Sequence, residues 1–479
     1  MNNLTIQLST GDGRCLYQQI YEHIRDEIRK GKLPAGEKLP STRSLADYLQ
    51  VARSTVDLAY SQLLAEGYIV SKPCRGYFVS PIEELLDLQE ELSVGPVSDQ
   101  STEEKVKSEV TDGEILYDFY PHGISMKEFP FATWKKLTRN ILVDANTEMF
   151  TLGDAQGDWQ LRETISRYLH SSRGVNCQPE QIIVGAGSDY LFLLLEKLLG
   201  RHVPIAMEDP TYGRALRVFT SFAYEIIPIP MDEQGMSVEF LHRTNARAAY
   251  VMPSHQYPTG TVMPIGRRLE LLNWACEKED RYLIEDDYDS EFRYRGKPIP
   301  SLQASDRWGR VIYMGTFSKS IAPAIRVGYM VLPQRLLKVY KENCGFYAST
   351  VSRIDQRILN EFIRDGYFER YLNKMRKIYR EKHDFLLELL KPFEERFFLS
   401  GENAGLHVLL TSRKGEKEEE LLKKAEQRGI KLYGISKVSL QSSDAAEKSS
   451  AGTVLLGYGA LDKEQIQNGI GLLREAWEI

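Results

Sequence analysis

Apolar positions in the first 80 residues fall on a helical period. Leu16, Ile20, Ile24 and Ile28 recur every fourth residue, drawing one apolar stripe along a helix that Gly31 ends. The turn Leu33-Pro34-Ala35-Gly36 follows, and Ser41, just ahead of Thr42, Arg43 and Leu45, is placed to cap a second short helix. A break at Gln50-Val51-Ala52 leads into a third helix from about Arg53 to Glu66, closed by Gly67. Two β-rich runs, 68–70 and 77–79, flank Pro73-Cys74-Arg75-Gly76 and predict a small hairpin. Three helices and a hairpin make a winged helix-turn-helix over residues 1–80.

From about residue 115 the pattern becomes apolar strand-like runs alternating with helical stretches. Examples are 181–184, 204–207, 248–252, 282–284, 311–314 and 327–331. Such alternation predicts an α/β domain over 115–479, with a mostly parallel sheet and helices on both faces. From about Leu386 the chain predicts a smaller C-terminal α/β subdomain, interrupted by a polar, Ser-rich loop at 439–452. Between the two regions, 81–114 carries eleven acidic residues against Lys105 and Lys107, and no aromatic. High charge with little apolar content predicts an extended, self-repelling linker, with a helical turn or two near 85–92.

At 479 residues and 42% hydrophobic, the chain has material for a sizeable core, which excludes global disorder and disulfide-stapled miniproteins. A net charge of −6 removes a generally basic nucleic-acid coat but leaves room for a local patch; residues 1–80 hold ten basic and eight acidic side chains. No run approaches the roughly 18 apolar residues of a membrane helix, and the N-terminus lacks a basic stretch followed by an apolar one. The five cysteines (15, 74, 177, 276 and 344) form no CxxC. The expectation is a soluble, cytoplasmic protein without a membrane partner.

In a helix-turn-helix the second helix presents its N-terminal side chains to base edges. Here Ser41, Thr42 and Arg43 open the positioning helix, and Arg53, Ser54 and Thr55 open the recognition helix, where hydroxyls and amides also grip phosphate. Arg75 and Gly76 stand at the wing tip, where a basic side chain enters the minor groove. Any amphipathic three-helix module shares this spacing. The stretch LPAGEKLPSTRSLADYLQVARSTVDLAYSQLLAEGYI, however, resembles the N-terminal domain of GntR-family bacterial transcription regulators across almost its whole length. The resemblance implies operator DNA as a partner.

Three motifs carry chemistry in the larger region. VGAGSDYLF (184–192) reads as a strand, a Gly-Ala-Gly turn and a helix whose N-terminal amides and Ser188 form a phosphate cradle; an ordinary strand-to-helix turn reads the same way. In YLIEDDYDSEF (282–292), Asp286 and Tyr288 share one face of an extended chain. A carboxylate there can keep a pyridine nitrogen protonated and a phenol can bond a ring oxygen. A solvated acidic loop is the alternative, and a divalent-metal site lacks a nearby histidine and calcium-loop spacing. In MGTFSKSIAPAIRVGYM (314–330), Lys319 follows a strand, flanked by Thr316, Ser318 and Ser320, with Arg326 seven residues on. A lysine on such a loop can form a Schiff base, while hydroxyls and an arginine hold a phosphate dianion; a lone lysine reads as a surface charge.

In order (phosphate loop, PSHQYPTG at 253–260, acid and tyrosine, GTFSK, arginine) these motifs resemble the pyridoxal-phosphate enzymes of the aspartate aminotransferase fold, fold type I, over roughly 115–475. A winged helix joined by a linker to such a domain resembles the MocR (GabR-like) subfamily of GntR regulators and covers nearly the whole chain. The resemblance implies pyridoxal 5'-phosphate as cofactor, with Lys319 as its internal-aldimine lysine, Asp286 at the pyridine nitrogen and Tyr288 at the phenolic oxygen. Gly185, Ala186, Gly187, Ser188, Thr316, Ser318 and Arg326 would hold the phosphate, and Tyr212 in EDPTYGR would stack on the ring, with core packing as its alternative. A homodimer is implied as well, since such sites lie at subunit interfaces.

Two departures bear on the effector. Tyr257 stands where enzymes of this fold usually have asparagine before Pro-Thr-Gly, so that hydrogen bond must come from His255 or Gln256 or be lost. In LLGYGALDKEQI, Ala460 stands where aminotransferases and GABA-responsive regulators place a carboxylate-binding arginine, leaving Arg214, with His255, as effector-binding candidates. The expected function is a PLP-dependent regulator that senses an amine or amino acid. An active aminotransferase and a sensor of PLP itself are the other readings.

Overall fold

The computed structural model describes residues 6, 8, 15–72, 75–80, 115–143, 147–293, 300–402, 404–440 and 452–479. The acidic segment 81–114 and most of the Ser-rich loop lie outside the described residues. The chain divides into two compact units, Met1–Glu109 and Val110–Ile479.

In the first unit, helices α1 (Leu16–Arg29), α2 (Thr42–Leu49) and α3 (Arg53–Ala65) precede a hairpin of strands β1 (Ile69–Lys72) and β2 (Gly76–Val79). The fourfold stripe is the reason α1 packs: Ile20, Ile24 and Ile28 are buried with Leu45 and Ala46 of α2 and Val56, Ala59 and Leu63 of α3. Ser41 caps α2 by accepting from the Ser44 amide at 3.1 Å. Gln50, in the left-handed region at φ 52°, ends α2 and re-aims the chain into α3. The hairpin is antiparallel, with Ile69 opposite Val79 and Lys72 opposite Gly76.

The second unit is built on an eight-stranded sheet. Its strands are β4 (Ile182–Gly185), β5 (Ile205–Asp209), β6 (Ile226–Asp232), β7 (Gly235–Met236), β8 (Ala248–Val251), β9 (Tyr282–Asp287), β10 (Val311–Thr316) and β11 (Gly328–Val331), following a short β3 (Tyr117–Asp118). Their order is β4-β11-β10-β9-β8-β5-β6-β7, with β10, β9, β8, β5 and β6 mutually parallel and β11 and β7 antiparallel to their neighbours. Alternate strand residues feed different cores. Ile183, Ile205, Met207, Tyr250, Ile284, Ile312 and Met330 pack under the helices Gly187–Leu199 and Gly213–Ser221. On the other face, Ala206, Ala249 and Leu283 pack with Leu271, Trp274 and Ala275 of the helix Ile265–Cys276, while Val184, Tyr313 and Tyr329 pack with Leu161, Ile165 and Leu169 of Trp159–Arg173. Both faces are therefore covered, as an α/β alternation requires.

The 24-residue helix Tyr367–Leu390 leads to a four-stranded antiparallel sheet of β12 (Phe397–Ser400), β13 (His407–Ser412), β16 (Thr453–Gly457) and β15 (Tyr433–Gly434), in that order. The remaining strand, β14 (Ile430–Lys431), pairs in parallel with β3, so residues 117–118 join the C-terminal part of the chain. Periodicity leaves no trace of this pairing, since β3 and β14 are two residues each. None of the described helices is long and apolar enough to cross a membrane.

Candidate cofactor site

The parallel strands deliver their chemistry at one edge. Asp286 sits opposite Met314 in the β9–β10 register, so the carboxylate and the loop that carries Lys319 leave the sheet side by side. A cavity of about 230 Å³ opens there, lined by Ser188, Tyr212, Arg214, Asp286, Tyr288, Thr316, Ser318, Lys319 and Arg326 among the residues singled out from the sequence, together with Tyr120, His122, Met252, Tyr257, Met314, Gly315 and Pro323.

Lys319 is buried, its Nζ 3.3 Å from the Pro121 carbonyl and 5.5 Å from the centre of the Tyr288 ring. Burial lowers its pKa against the opposing pull of Asp289, which favours the neutral, nucleophilic amine. Asp286 accepts from the Tyr250 hydroxyl at 2.5 Å. Burial pushes its carboxyl up to about 6; the Tyr250 bond opposes the shift and the charges of Asp287 and Asp289 add to it. His122 is missed by sequence reasoning because nothing in YPHGIS ties it to residues two hundred positions away. Its ring lies 4.5 Å from that of Tyr257, and burial together with neighbouring Lys319 holds it neutral.

At the other end of the cavity, Gly187 adopts φ +79° at the start of its helix, and a Cβ there would come within 2.6 Å of the Arg326 guanidinium. Arg326 and Arg214 both reach Asp189, at 3.1 and 2.8 Å, so two cations share one carboxylate. The Ser318 hydroxyl oxygen is buried with no partner. A spare positive charge, an unpaired hydroxyl and a helix whose first turn lines the cavity through Ser188 fit a phosphate dianion, and a buried carboxylate without a cation fits a protonated pyridine. The residues present therefore suit pyridoxal phosphate.

Not every sequence candidate faces the cavity. Gly185 is the buried last residue of β4, and the Ala186 amide donates to Thr350 Oγ1 at 3.0 Å. His255 lies behind Tyr288, whose hydroxyl it meets at 3.0 Å, and Gln256 spends its amide on Pro210 and Thr259. Ala460, the position where the resemblance expects a carboxylate-binding arginine, is exposed and close to Gly123. In the first unit, Ser41, Arg43, Arg53, Ser54 and Arg75 are exposed, and Thr55 and Gly76 are half-buried. Thr42 is buried against the three-helix core, which removes it from the surface a DNA contact needs.

Residues 123–443 match the family of class I and II aminotransferases, and residues 16–79 match the bacterial regulatory proteins of the gntR family. The chain is 40% identical to the uncharacterized HTH-type transcriptional regulator YdeL of Bacillus subtilis, over 97% of both chains. It is 34% identical to the probable rhizopine catabolism regulatory protein MocR of Rhizobium meliloti, over 96% of this chain and 94% of that one. The chain belongs to the MocR-type GntR regulators. A solved kynurenine aminotransferase of Pyrococcus horikoshii, in complex with PMP, matches the regulator with a TM-score of 0.66 and 26% identity, over 83% of this chain and 94% of that one. The regulator thus joins a DNA-binding winged helix to an aminotransferase-like domain whose cofactor is pyridoxal phosphate.

Asp286 generates a pH test. A carboxyl whose folded pKa exceeds its unfolded one binds more protons when folded, so the stability of the cofactor-free regulator falls as pH rises from about 4 through 6. Glu208, Glu285 and Glu291, each pushed up to about 7 by burial, act in the same direction and continue it toward pH 7. Asp286→Asn is expected to flatten the slope between pH 4 and 6 and to raise the melting temperature at pH 7 above wild type; calorimetry showing an unchanged slope refutes the account.

Proposed function

We propose that the regulator reads a small amine or amino acid at the Lys319 pocket and that occupancy changes its hold on operator DNA. The buried, neutral-leaning amine of Lys319 in the wall of a cavity with a cationic end and an anionic end is the observation that carries the reading. Bound pyridoxal phosphate supplies a carbonyl that reacts reversibly with amines. In this assignment Ser188, Gly187, Thr316, Ser318 and Arg326 hold its phosphate, Asp286 faces the pyridine nitrogen, Tyr288 the ring oxygen and Tyr212 a ring face. Lys319 would be the residue that binds the cofactor's carbonyl, and Arg214 would be the partner for an effector carboxylate. The neutral amine of Lys319 also suits a proton shuttle, which is what an active aminotransferase needs.

Purified wild type is expected to show a visible absorption band that borohydride bleaches, and Lys319→Ala to lack that band or show it displaced. A colourless protein that stays colourless with added pyridoxal phosphate overturns the assignment of this site. Turnover of an amino acid with a keto acid at ordinary enzymatic rates, beyond about 1 per second, moves the reading from sensor to enzyme.

For the DNA arm, Arg43, Arg53, Ser41, Ser54, Thr55, Arg75 and Gly76 form the proposed contact set. Arg53→Ala is expected to weaken operator binding and, as a phosphate contact, to reduce the slope of log affinity against log salt by about one; an unchanged slope assigns Arg53 elsewhere.

A cytoplasmic homodimer completes the proposal. Phe150, Leu152 and Phe346 of the second unit are large apolar side chains that stand mostly exposed, as a partner surface requires. A two-fold dimer suits a repeated operator. Light scattering is expected to return twice the 54.9-kDa chain mass, and a monomer with cofactor bound refutes it.

A further inference from the structure

Tyr288 lines the cofactor pocket, but its hydroxyl also meets a buried pair behind the pocket wall. Its Oη lies 3.0 Å from His255 Nδ1, and the same nitrogen lies 3.1 and 3.0 Å from the two oxygens of Asp289. His255 and Asp289 are each 2% exposed. Burial raises the Asp289 pKa, yet the pull of His255 and Lys319 outweighs it and holds the carboxyl below its usual range. An ionised carboxylate only accepts, so His255 Nδ1 must carry its proton toward Asp289.

That arrangement decides what the Tyr288 proton can do. The phenolic oxygen can take a share of the Nδ1 proton, which leaves its own O–H free to turn. Two acceptors compete for it: Asp289, which lies within hydrogen-bonding reach and adds to burial in raising the phenol's pKa, and whatever occupies the pocket. While His255 supplies Asp289 with a donor, the hydroxyl is released to the pocket side. Remove that donor, and a buried anion without a partner recruits the nearest O–H, because an unpaired buried charge is the costlier state.

The histidine is placed by shape as well as by charge. Gly405 has φ +76°, and a Cβ there would come within 2.0 Å of the His255 ring. The Nε2 atom is buried with no partner, so the ring's hydrogen bonding is confined to Nδ1. The titratable and charged groups around the pair are Asp286 on β9 and Tyr288 after it, Tyr257 in the 253–260 segment, Lys319 after β10, and His407 on β13. The His407 ring centre is 5.4 Å from that of His255; burial and the neighbouring imidazole lower its pKa to about 3.

We infer that His255 is a positioning residue: by occupying Asp289 it keeps the Tyr288 hydroxyl aimed into the pocket, at the ring oxygen of the cofactor. The inference rests on the proposed placement of Tyr288 at that oxygen.

A donor to the ring oxygen favours its ionised form, so loss of the donor raises the pH at which the visible band of the loaded protein changes. In His255→Leu that midpoint is expected to rise by about one pH unit. His255→Asn keeps an N–H near the place of Nδ1 and holds the wild-type midpoint. His255→Leu combined with Asp289→Leu leaves no acceptor to capture the hydroxyl, and returns the midpoint toward wild type. His255→Gln, whose amide reaches past Nδ1, carries the same expectation as His255→Leu should the leucine variant not fold. Tyr288→Phe reports separately on the site. If its midpoint does not move, the placement of Tyr288 is overturned. If it moves while those of His255→Leu and His255→Gln do not, the role of His255 is overturned. A double variant as displaced as His255→Leu assigns the histidine to packing and overturns the role equally.

Discussion

The second unit is organised around a carboxylate that the fold removes from water. Asp286 sits at the end of a central parallel strand, with β8 on one side and β10 on the other, and its one strong partner is the Tyr250 hydroxyl. A buried acid without a cation is held partly protonated, which is an unfavourable way to leave a core position unless a cation arrives. The rest of the site follows from that debt. The same sheet register that fixes Asp286 beside Met314 puts the start of the GTFSK loop against it, so Lys319 lies in the same cavity. At the far end two arginines share Asp189, leaving positive charge unspent. A ligand that is cationic at its ring nitrogen and anionic at its phosphate resolves both imbalances at once, and either imbalance alone would select a far less specific group.

The acids that flank Asp286 explain why an acidic run can be interior. Along 282–292 a solvated loop and a buried strand end are equally legible, because charge alone favours water. Each acid has its own donor. Glu285 accepts from the Leu302 and Gln303 amides at 2.8 Å, Asp287 from Arg173 at 2.7 Å and Tyr313 at 2.5 Å, and Glu291 from Tyr168 at 3.0 Å. Asp289 has His255. Strand alternation sends Glu285 and Asp287 away from the pocket and leaves Asp286 facing it. The donors come from positions scattered across the chain, so no local spacing in the sequence could announce them.

That contrast marks where the sequence is readable. Gly187 and Ser188, Asp286 with Tyr288, and Lys319 with Arg326 each sit on one strand-to-loop transition, where local chemistry and local geometry coincide. The winged helix is readable for the same reason, since the stripe from Ile20 to Ile28 and the Ser41 cap are short-range features. Tyr120, His122 and Tyr250 reach the site by topology, the first two from the loop beside β3 and the third across the β8–β9 pair. Thr42 and His255 show the limit from the other side: residue type suggests contact with a ligand, and only burial reveals that one supports a helix start and the other stands behind a tyrosine.

The absence of a cation at Ala460 constrains the effector on the proposed reading. The guanidiniums that line the cavity are Arg214 and Arg326, and both already pair with Asp189. An effector carboxylate that engages Arg214 must therefore share that guanidinium with Asp189, in a site that is partly exposed, and gains less than it would from an unpaired arginine. The amine carries no such handicap, because the lysine it replaces is itself buried and poorly solvated. Selectivity then falls to the shape of the aromatic wall of Tyr120, His122, Tyr212 and Tyr257, where a missing or added methylene is felt but a missing charge is tolerated. A ligand shifts operator affinity only by the difference between its affinities for the two DNA-binding states. An effector gripped through its amine and its carbon skeleton can supply that difference; one that depends on a carboxylate clamp has little here to grip.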